Sequence, residues 1–369
     1  MALTALDVYK FLPKTNCKEC KFPTCLAFAM ALAQKKATLD DCKHASADAK
    51  AALEGASRPP VTLVTIGSGD KKLEIGNDTV LFRHEATFVH PAGIAVEVSD
   101  TMSTADLAKA AEEIRGLSFE RVGMDIAVNL VAVRADSGNG EKFAAAVKIM
   151  KEGTGLPLVL MGAKAEVLEP ALKLLAGEKP LICFADKDNV AEMAALAKTY
   201  SAPLAVTGSG LEDLAETAQK ASGLGAASLV LCPKGASLGD TLQDLTRIRI
   251  AALKKNFRAL GYPMMAIASN ANPDIEAATA ATFIAKYAGI VVVKGRSRAE
   301  ILPILTARQN IYTDPQKPIQ VKPGYYAVGN ATPTSPVPPT PNFPLTYYTE
   351  PAYVEPSPIP PWVLVVDTE

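Results

Sequence analysis

IAVEVSDTMSTADLAKAAEEIRGL, residues 94–117, is the stretch on which the fold turns. Its opening IAVEV is a short apolar run of the kind that fills a strand buried on both faces. TADLAKAAEEIRGL then repeats its apolar positions every three to four residues, the period of a helix with one buried side. A strand handing over directly to a helix is one βα unit. The same handover recurs down the chain. Apolar runs stand at IAVNLVAV (126–133), PLVLM (157–161), LICFA (181–185), PLAVT (203–207), SLVLC (228–232), MMAIA (264–268) and IVVVK (290–294). Helical patterns fill the gaps, among them KFAAAVKIMKEG (142–153), EDLAETAQKASGLG (212–225) and PDIEAATAATFIAKYAG (273–289).

Eight such repeats over about 200 residues predict an α/β protein, a (β/α)8 TIM barrel. An open doubly wound sheet is the runner-up, and the lack of a G-x-G-x-x-G after any strand counts against it. Gly153, Gly223 and Gly289 stand where helices are expected to end. VTLVTIG (61–67), KLEIGN (72–77) and TVLFRH (79–84) read as short strands leading into the barrel.

Barrel chemistry sits on loops after strand C-termini. Those positions hold Asp100-Thr101, Arg134 and Asp136, Asp186 and Asp188, Gly208-Ser209, Pro233-Lys234, Ser269-Asn270 and Lys294-Gly295. They form no metal triad, carboxylate pair or nucleophile elbow. The three histidines, His44, His84 and His90, fall at none of the barrel strand ends. A scaffold or docking barrel is therefore expected over a catalytic one. Cys183 and Cys232 lie inside buried strands and read as core residues.

Upstream of the barrel the composition changes. Four of the six cysteines, Cys17, Cys20, Cys25 and Cys42, occupy the first 42 residues as C-x2-C-x4-C-x16-C. Crowded thiols are what a metal centre requires. A [4Fe-4S] cluster fits four thiolates in a sheltered pocket. Structural zinc more often takes two short-spaced pairs, and here there is a single C-x2-C. Free thiols are the third reading. Pro13 should end a first short helix opened by Thr4-x-x-Asp7. Pro23-Thr24 should cap a second beginning at Cys25, which places that thiolate at the positive end of a helix dipole.

Composition excludes several functions. With 38 basic and 39 acidic residues the formal charge is -1, so no field exists to neutralise nucleic-acid phosphates. No apolar run reaches the length of a bilayer span. The opening MALTALDVYKFLP has neither a basic n-region nor an h-region. The expected location is cytoplasmic, where clustered thiols read as metal ligands rather than disulfides. After Cys42, the Ala-rich ASADAKAALEGASRPP (45–60) reads as a helix and then a hinge.

TNCKECKFPTCLAFAMALA (15–33) resembles the [4Fe-4S] module of the large (gamma) subunit of the corrinoid iron–sulfur protein of the acetyl-CoA decarbonylase/synthase pathway. VLFRHEATFVHP (80–91), TLQDLTRIRIAALKKNFRALGYP (241–263) and RQNIYTDPQKPIQVKPG (308–324) carry the likeness through the barrel. Two departures stand out: Lys18 and Lys21 replace small glycines beside the first two cysteines, and Lys43-His44 replaces Pro-Tyr. The resemblance implies three parts: a cluster module at 1–57, the barrel with its lead-in strands at 58–312, and the start of a corrinoid-binding domain at 313–369.

Fourteen of the 27 prolines fall between Pro315 and Pro361, which fits poorly with strands and suggests a shortened corrinoid domain. Asn342, Phe343 and Thr346 match that domain's opening and are the implied corrinoid contacts, with Cys17, Cys20, Cys25 and Cys42 the implied cluster ligands. The implied function is a methyl carrier taking a methyl group from methyl-tetrahydropterin to acetyl-CoA synthase, the cluster reductively activating cobalt. The implied partners are a small (delta) barrel subunit in a heterodimer, the methyl-tetrahydropterin methyltransferase, acetyl-CoA synthase and a reductive activator. The alternative is an electron-transfer and assembly subunit without its own corrinoid.

Overall fold

In the computed structural model, residues 5–33, 37, 41–46, 59–121 and 124–313 are described, with two short strands at 324–327 and 363–366. Residues 47–58 of the expected helix-and-hinge stretch, and the residues Asn342, Phe343 and Thr346, lie outside the described residues.

The chain begins with two short helices, α1 (Ala5–Phe11) and α2 (Cys25–Ala33). A small antiparallel hairpin follows, β1 (Val64–Ile66) and β2 (Leu73–Ile75). The barrel opens with β3 (Gly93–Ser99) and α3 (Thr104–Arg115). A second hairpin, β4 (Ser118–Arg121) and β5 (Met124–Ala127), precedes β6 (Leu130–Arg134) and α4 (Gly140–Thr154). Next come β7 (Leu158–Met161), α5 (Ala165–Leu174), β8 (Leu181–Ala185) and α6 (Val190–Thr199). After them are β9 (Leu204–Gly208), α7 (Leu211–Gly223), β10 (Leu229–Pro233) and α8 (Leu238–Lys254). The last units are β11 (Met264–Ile267), α9 (Pro273–Ala285), β12 (Ala288–Val293) and α10 (Arg298–Ile311). Beyond them β13 (Gly324–Ala327) pairs antiparallel with β14 (Val363–Val366).

The eight parallel strands close in the order β3-β6-β7-β8-β9-β10-β11-β12, and β12 pairs back onto β3. Closure removes every sheet edge, and the doubly wound alternative goes with it. Strand alternation divides the core in two. Inward residues such as Ala95, Ala132, Val159, Cys183, Ala205, Val230 and Val292 fill the barrel, while outward ones such as Val96, Val131 and Leu160 pack under the helices.

The first hairpin plugs the N-terminal end. Val64, Ile66, Leu73 and Ile75 join the interior cluster. The plug needs close backbone approach where the strands begin. At Gly93 a side chain would collide with Leu73, and at Gly67 a Cβ would stand 2.6 Å from Pro157.

Three expectations are corrected. IAVNLVAV is not one strand, because it breaks at Asn129 between β5 and β6. There the Asn129 N–H donates to Ile94 O at 3.1 Å and its Oδ1 accepts from Ile94 N at 3.3 Å, so the side chain registers β6 against β3. TVLFRH is a strap rather than a strand, with Leu81 and Phe82 N–H both donating to the Glu85 carboxylate at 3.0 Å. Two of the three glycines also act differently. Gly153 sits within α4, where its missing Cβ would stand 2.5 Å from Ala111, and Gly155 (φ 63°) ends that helix. Gly289 lies in β12, whereas Gly223 closes α7 as expected.

Candidate metal centre

Local chemistry builds the module from two helices and the loop between them. Pro13 stops α1 just beyond Phe11. Thr24 caps α2, its Oγ1 accepting the Ala27 N–H at 3.1 Å, so Cys25 opens that helix as the sequence predicts. The helices pack through Val8, Leu12, Phe28 and Ala29. Cys25 and Cys42 are buried in this same cluster, and Cys20 packs against it with Phe22, whose ring lies 5.5 Å from that of Phe28. Cys17 is exposed.

The loop follows an unusual path. Lys14, Asn16, Lys18 and Lys21 all have positive φ, between 49° and 67°, a region that favours glycine. Turns of this kind aim successive backbone N–H groups into one concavity, the arrangement that receives anions and Fe–S centres. One such contact is already formed: Asn16 N–H points at Cys25 Sγ at 3.4 Å. Asn16 answers from its other side as well, its Oδ1 accepting the Cys25 N–H at 2.8 Å. Asn16 therefore fixes both the backbone and the sulfur of Cys25. Replacing Asn16 with Ala is expected to cost about 1–2 kcal/mol of module stability. It should also speed loss of iron, read as the decay of visible absorbance under a chelator.

A second tie lies outside the cysteines. His44 Nε2 meets Glu19 Oε1 at 3.2 Å, and Lys43 reaches the other Glu19 oxygen at 3.8 Å. The hydrogen bond and charge of His44 hold the Glu19 carboxyl below its ordinary range. This contact fastens the arm bearing Cys42 to the turn between Cys17 and Cys20. Cys17, Glu19 and His44 bring ligand atoms within 4.8 Å of one another at the surface. Among the described residues no three cysteine sulfurs reach that spacing. A single tetrahedral zinc would gather its sulfurs to about 3.8 Å. In a cluster each thiolate binds a different iron, so the sulfurs stand wider apart. The four-thiol donor set, the apolar shelter and the Asn16 N–H directed at Cys25 Sγ fit a cluster.

Sequence reading missed Asn16 and Glu19. Glu19 carried a weak signal, being the acid between the first two cysteines, and His44 was visible only as a departure from the resembled pattern. Lys18 and Lys21 now have a second meaning. Each carries a side chain in a conformation suited to glycine and adds positive charge beside a thiolate. Lys18→Gly with Lys21→Gly is expected to relax the loop and lower the reduction potential, because positive charge stabilises the reduced, more negative centre. Potentiometry in which both chains gave one midpoint would refute this.

At the barrel mouth most polar residues are committed to each other, while the buried Ser269 hydroxyl has no partner among the described residues. Arg134 makes a two-pronged contact with Glu97 at 2.9 and 2.6 Å, and Lys294 approaches Glu97 at 3.8 Å. Asp100 accepts from Ser137 N–H and Oγ–H, Ser99 donates to Asp136, and Asp186 accepts the Asp188 and Asn189 N–H groups. Ser209 donates from both its backbone and its hydroxyl to Asp213. These are loop ties and helix caps. Burial pushes the Cys183 thiol well up and Cys232 to about 12, so neither serves as a nucleophile.

The three barrel stretches that carried the resemblance meet at one place on the barrel. Arg249, 3% exposed, binds Asp78 Oδ2 at 2.6 Å and Val80 O at 2.6 Å. Its guanidinium lies 5.5 Å from the Phe88 ring and 5.0 Å from that of Tyr287. Phe88 in turn packs on Tyr312 at 6.0 Å. Four residues along α10 from Tyr312, Arg308 binds Ala92 O at 3.3 Å, Ala127 O at 2.9 Å and Asn129 Oδ1. These motifs thus lock the strap and the last helix onto the barrel.

A closed (β/α)8 barrel fronted by a four-cysteine helical module is the class that this geometry defines. A family model described as the CO dehydrogenase/acetyl-CoA synthase delta subunit matches residues 63–369, and one described as "Putative Fe-S cluster" matches residues 12–44. Over 369 residues the chain is 44% identical to the "Corrinoid/iron-sulfur protein large subunit" of Moorella thermoacetica, covering all of this chain and 83% of that protein. It is 37% identical to the "Acetyl-CoA decarbonylase/synthase complex subunit gamma" of Methanothermobacter thermautotrophicus, again over 100% of this chain and 83% of the relative. The chain belongs to this family of corrinoid/iron–sulfur large and gamma subunits. The delta description attaches to the barrel-and-tail model, whereas the gamma and large-subunit relatives also cover the cysteine module. Among solved structures, 7,8-dihydropteroate synthase from Vibrio fischeri ES114 is similar in layout, with a TM-score of 0.48 and 15% identity over 68% of this chain and 100% of that one.

Proposed function

We propose that this chain is the corrinoid/iron–sulfur methyl-carrier subunit of an acetyl-CoA decarbonylase/synthase system, with Cys17, Cys20, Cys25 and Cys42 holding a [4Fe-4S] cluster. The observation that carries the reading is the placement of Cys20, Cys25 and Cys42 around one small apolar core, beside a loop whose Asn16 N–H points at Cys25 Sγ. When bound, the cluster supplies single electrons at low potential. The chain's own residues do the rest. Asn16 holds the backbone and the sulfur of Cys25 in place. Val8, Leu12 and Phe28 exclude water, and Glu19 with His44 holds the Cys42 arm in place. The barrel provides a rigid platform.

In this reading residues 1–57 are the cluster module, 58–312 the barrel with its lead-in strands, and 313–369 the opening of the corrinoid-binding part. Asn342, Phe343 and Thr346 are the proposed corrinoid contacts, and that group supplies the methyl-carrying cobalt when bound. Membership of a complex is stated in the relatives' names. The particular partners proposed are the small (delta) subunit as a heterodimer, a methyl-tetrahydropterin methyltransferase, acetyl-CoA synthase and a reductive activator. Among the described residues no helix is long and apolar enough to cross a membrane. The proposed location is cytoplasmic.

The test is anaerobic purification of the whole chain after expression with a corrinoid source, with iron, sulfide and cobalt counted, followed by incubation with methyl-tetrahydropterin and its methyltransferase. Iron and cobalt together, with the methyl group appearing on the protein, is the expected result. Iron without cobalt would overturn the methyl-carrier assignment in favour of an electron-transfer subunit.

A further inference from the structure

Two potential metal ligands besides the cysteines crowd the one exposed thiol of the module. Cys17 is exposed, whereas Cys25 and Cys42 are buried. Its sulfur, a Glu19 carboxylate oxygen and a His44 ring nitrogen all lie within 4.8 Å of one another. Among the described residues no other trio of His, Cys, Asp or Glu side chains comes this close. The two neighbours arrive from different parts of the chain. Glu19 stands in the turn between Cys17 and Cys20, and His44 lies two residues past Cys42. His44 is also one of this chain's departures from the pattern it resembles.

The contact between them has the form that prepares a histidine for a metal. His44 Nε2 stands 3.2 Å from Glu19 Oε1. A carboxylate can only accept, so a neutral imidazole donates from Nε2 and keeps its lone pair on Nδ1. Metal-binding histidines are commonly held this way, the carboxylate orienting the ring and raising the basicity of the other nitrogen. The His44 and Glu19 side chains are 48% and 44% exposed, which leaves the ring room to turn toward an iron at Cys17. Imidazole in place of thiolate is an established ligand of iron–sulfur centres.

We propose that His44, braced by Glu19, is a reserve iron ligand at the corner of the cluster that Cys17 holds. The inference rests on the cluster reading and adds a ligand to it. The exchange is not a redox step. The Fe–S bond to Cys17 breaks with its electron pair on sulfur, which takes a proton from solvent, and the imidazole lone pair forms the new Fe–N bond. A neutral ligand then stands where an anionic one stood, so the reduced form gains and the potential rises. The exposed thiolate can thus leave without its iron leaving too.

The test compares the whole unaltered chain with Cys17→Ala, His44→Gln and the double variant, all purified anaerobically from cells fed 15N-histidine. Iron and sulfide are counted, midpoint potentials are measured, and reduced samples are read by pulsed EPR for nitrogen bound directly to iron. Cys17 is exposed, so its replacement removes no core contact. Cys17→Ala is expected to keep about four irons, to show a strongly coupled 15N and to have a higher midpoint than the unaltered chain. The double variant should lose the coupling and roughly one iron per chain. Glutamine can still donate to Glu19, so His44→Gln alone keeps the tie and should keep its iron. Cys17→Ala without coupled nitrogen, or equal iron loss in His44→Gln alone, would overturn the proposal and leave the four-cysteine cluster standing. No cluster in the unaltered chain would overturn both.

Discussion

Serine in place of Cys25 or Cys42 is expected to lower bound iron by on the order of tenfold or more, even when the chain is purified without oxygen. Both side chains lie among Val8, Leu12, Phe28 and Ala29. A serine hydroxyl there is a poor iron ligand at neutral pH and a polar group with few partners. Cys17 is exposed, so its replacement leaves a position that water or an added thiol can fill. Cys17→Ser should therefore retain more iron than either buried substitution. Iron and sulfide analysis of the three variants side by side checks the order. Equal retention by all three would show that burial of the sulfurs does not govern the site.

The second large effect is structural. Arg249→Met is expected to destabilise the barrel by about 2–4 kcal/mol, since the guanidinium is buried while the Asp78 carboxylate left behind is partly exposed. Asp78 would lose its counter-charge, and Val80 O a donor at 2.6 Å. The rings of Phe88 and Tyr287 would lose the cation they flank. The methionine keeps much of the side-chain volume, so the loss reports charge and hydrogen bonds rather than a cavity. Denaturant unfolding of the whole chain measures it, and a loss below about 1 kcal/mol would place the strap's hold elsewhere.

Much of the barrel was legible because a strand buried on both faces must be apolar throughout. The run at 94–98, for example, lies within β3 (Gly93–Ser99). What periodicity could not show was where a single polar side chain interrupts a run. Asn129 looks like one polar residue in an apolar strand, yet its amide forms a corner and binds both β3 and Arg308. Proline also concealed structure. Pro170 and Pro303 sit inside α5 and α10, where packing onto the barrel outweighs the local penalty. The plugging role of β1 and β2 was invisible for a related reason, since a hairpin that fills a barrel has the same alternation as one that covers a surface.

At the proposed metal centre the four cysteines were visible from spacing alone, whereas their supports were not. Asn16 has no signature beyond standing before a cysteine. The positive φ of Lys18 and Lys21 is a property of the path the loop takes, and the lysines themselves give no hint of it.

Mössbauer spectroscopy of the whole chain, purified anaerobically from cells grown on 57Fe, with zinc and acid-labile sulfide measured on the same sample, tests the central assignment most directly. A four-cysteine cluster predicts about four iron atoms and about four sulfides per chain, every iron in tetrahedral sulfur coordination. One zinc per chain with no labile sulfide would contradict it.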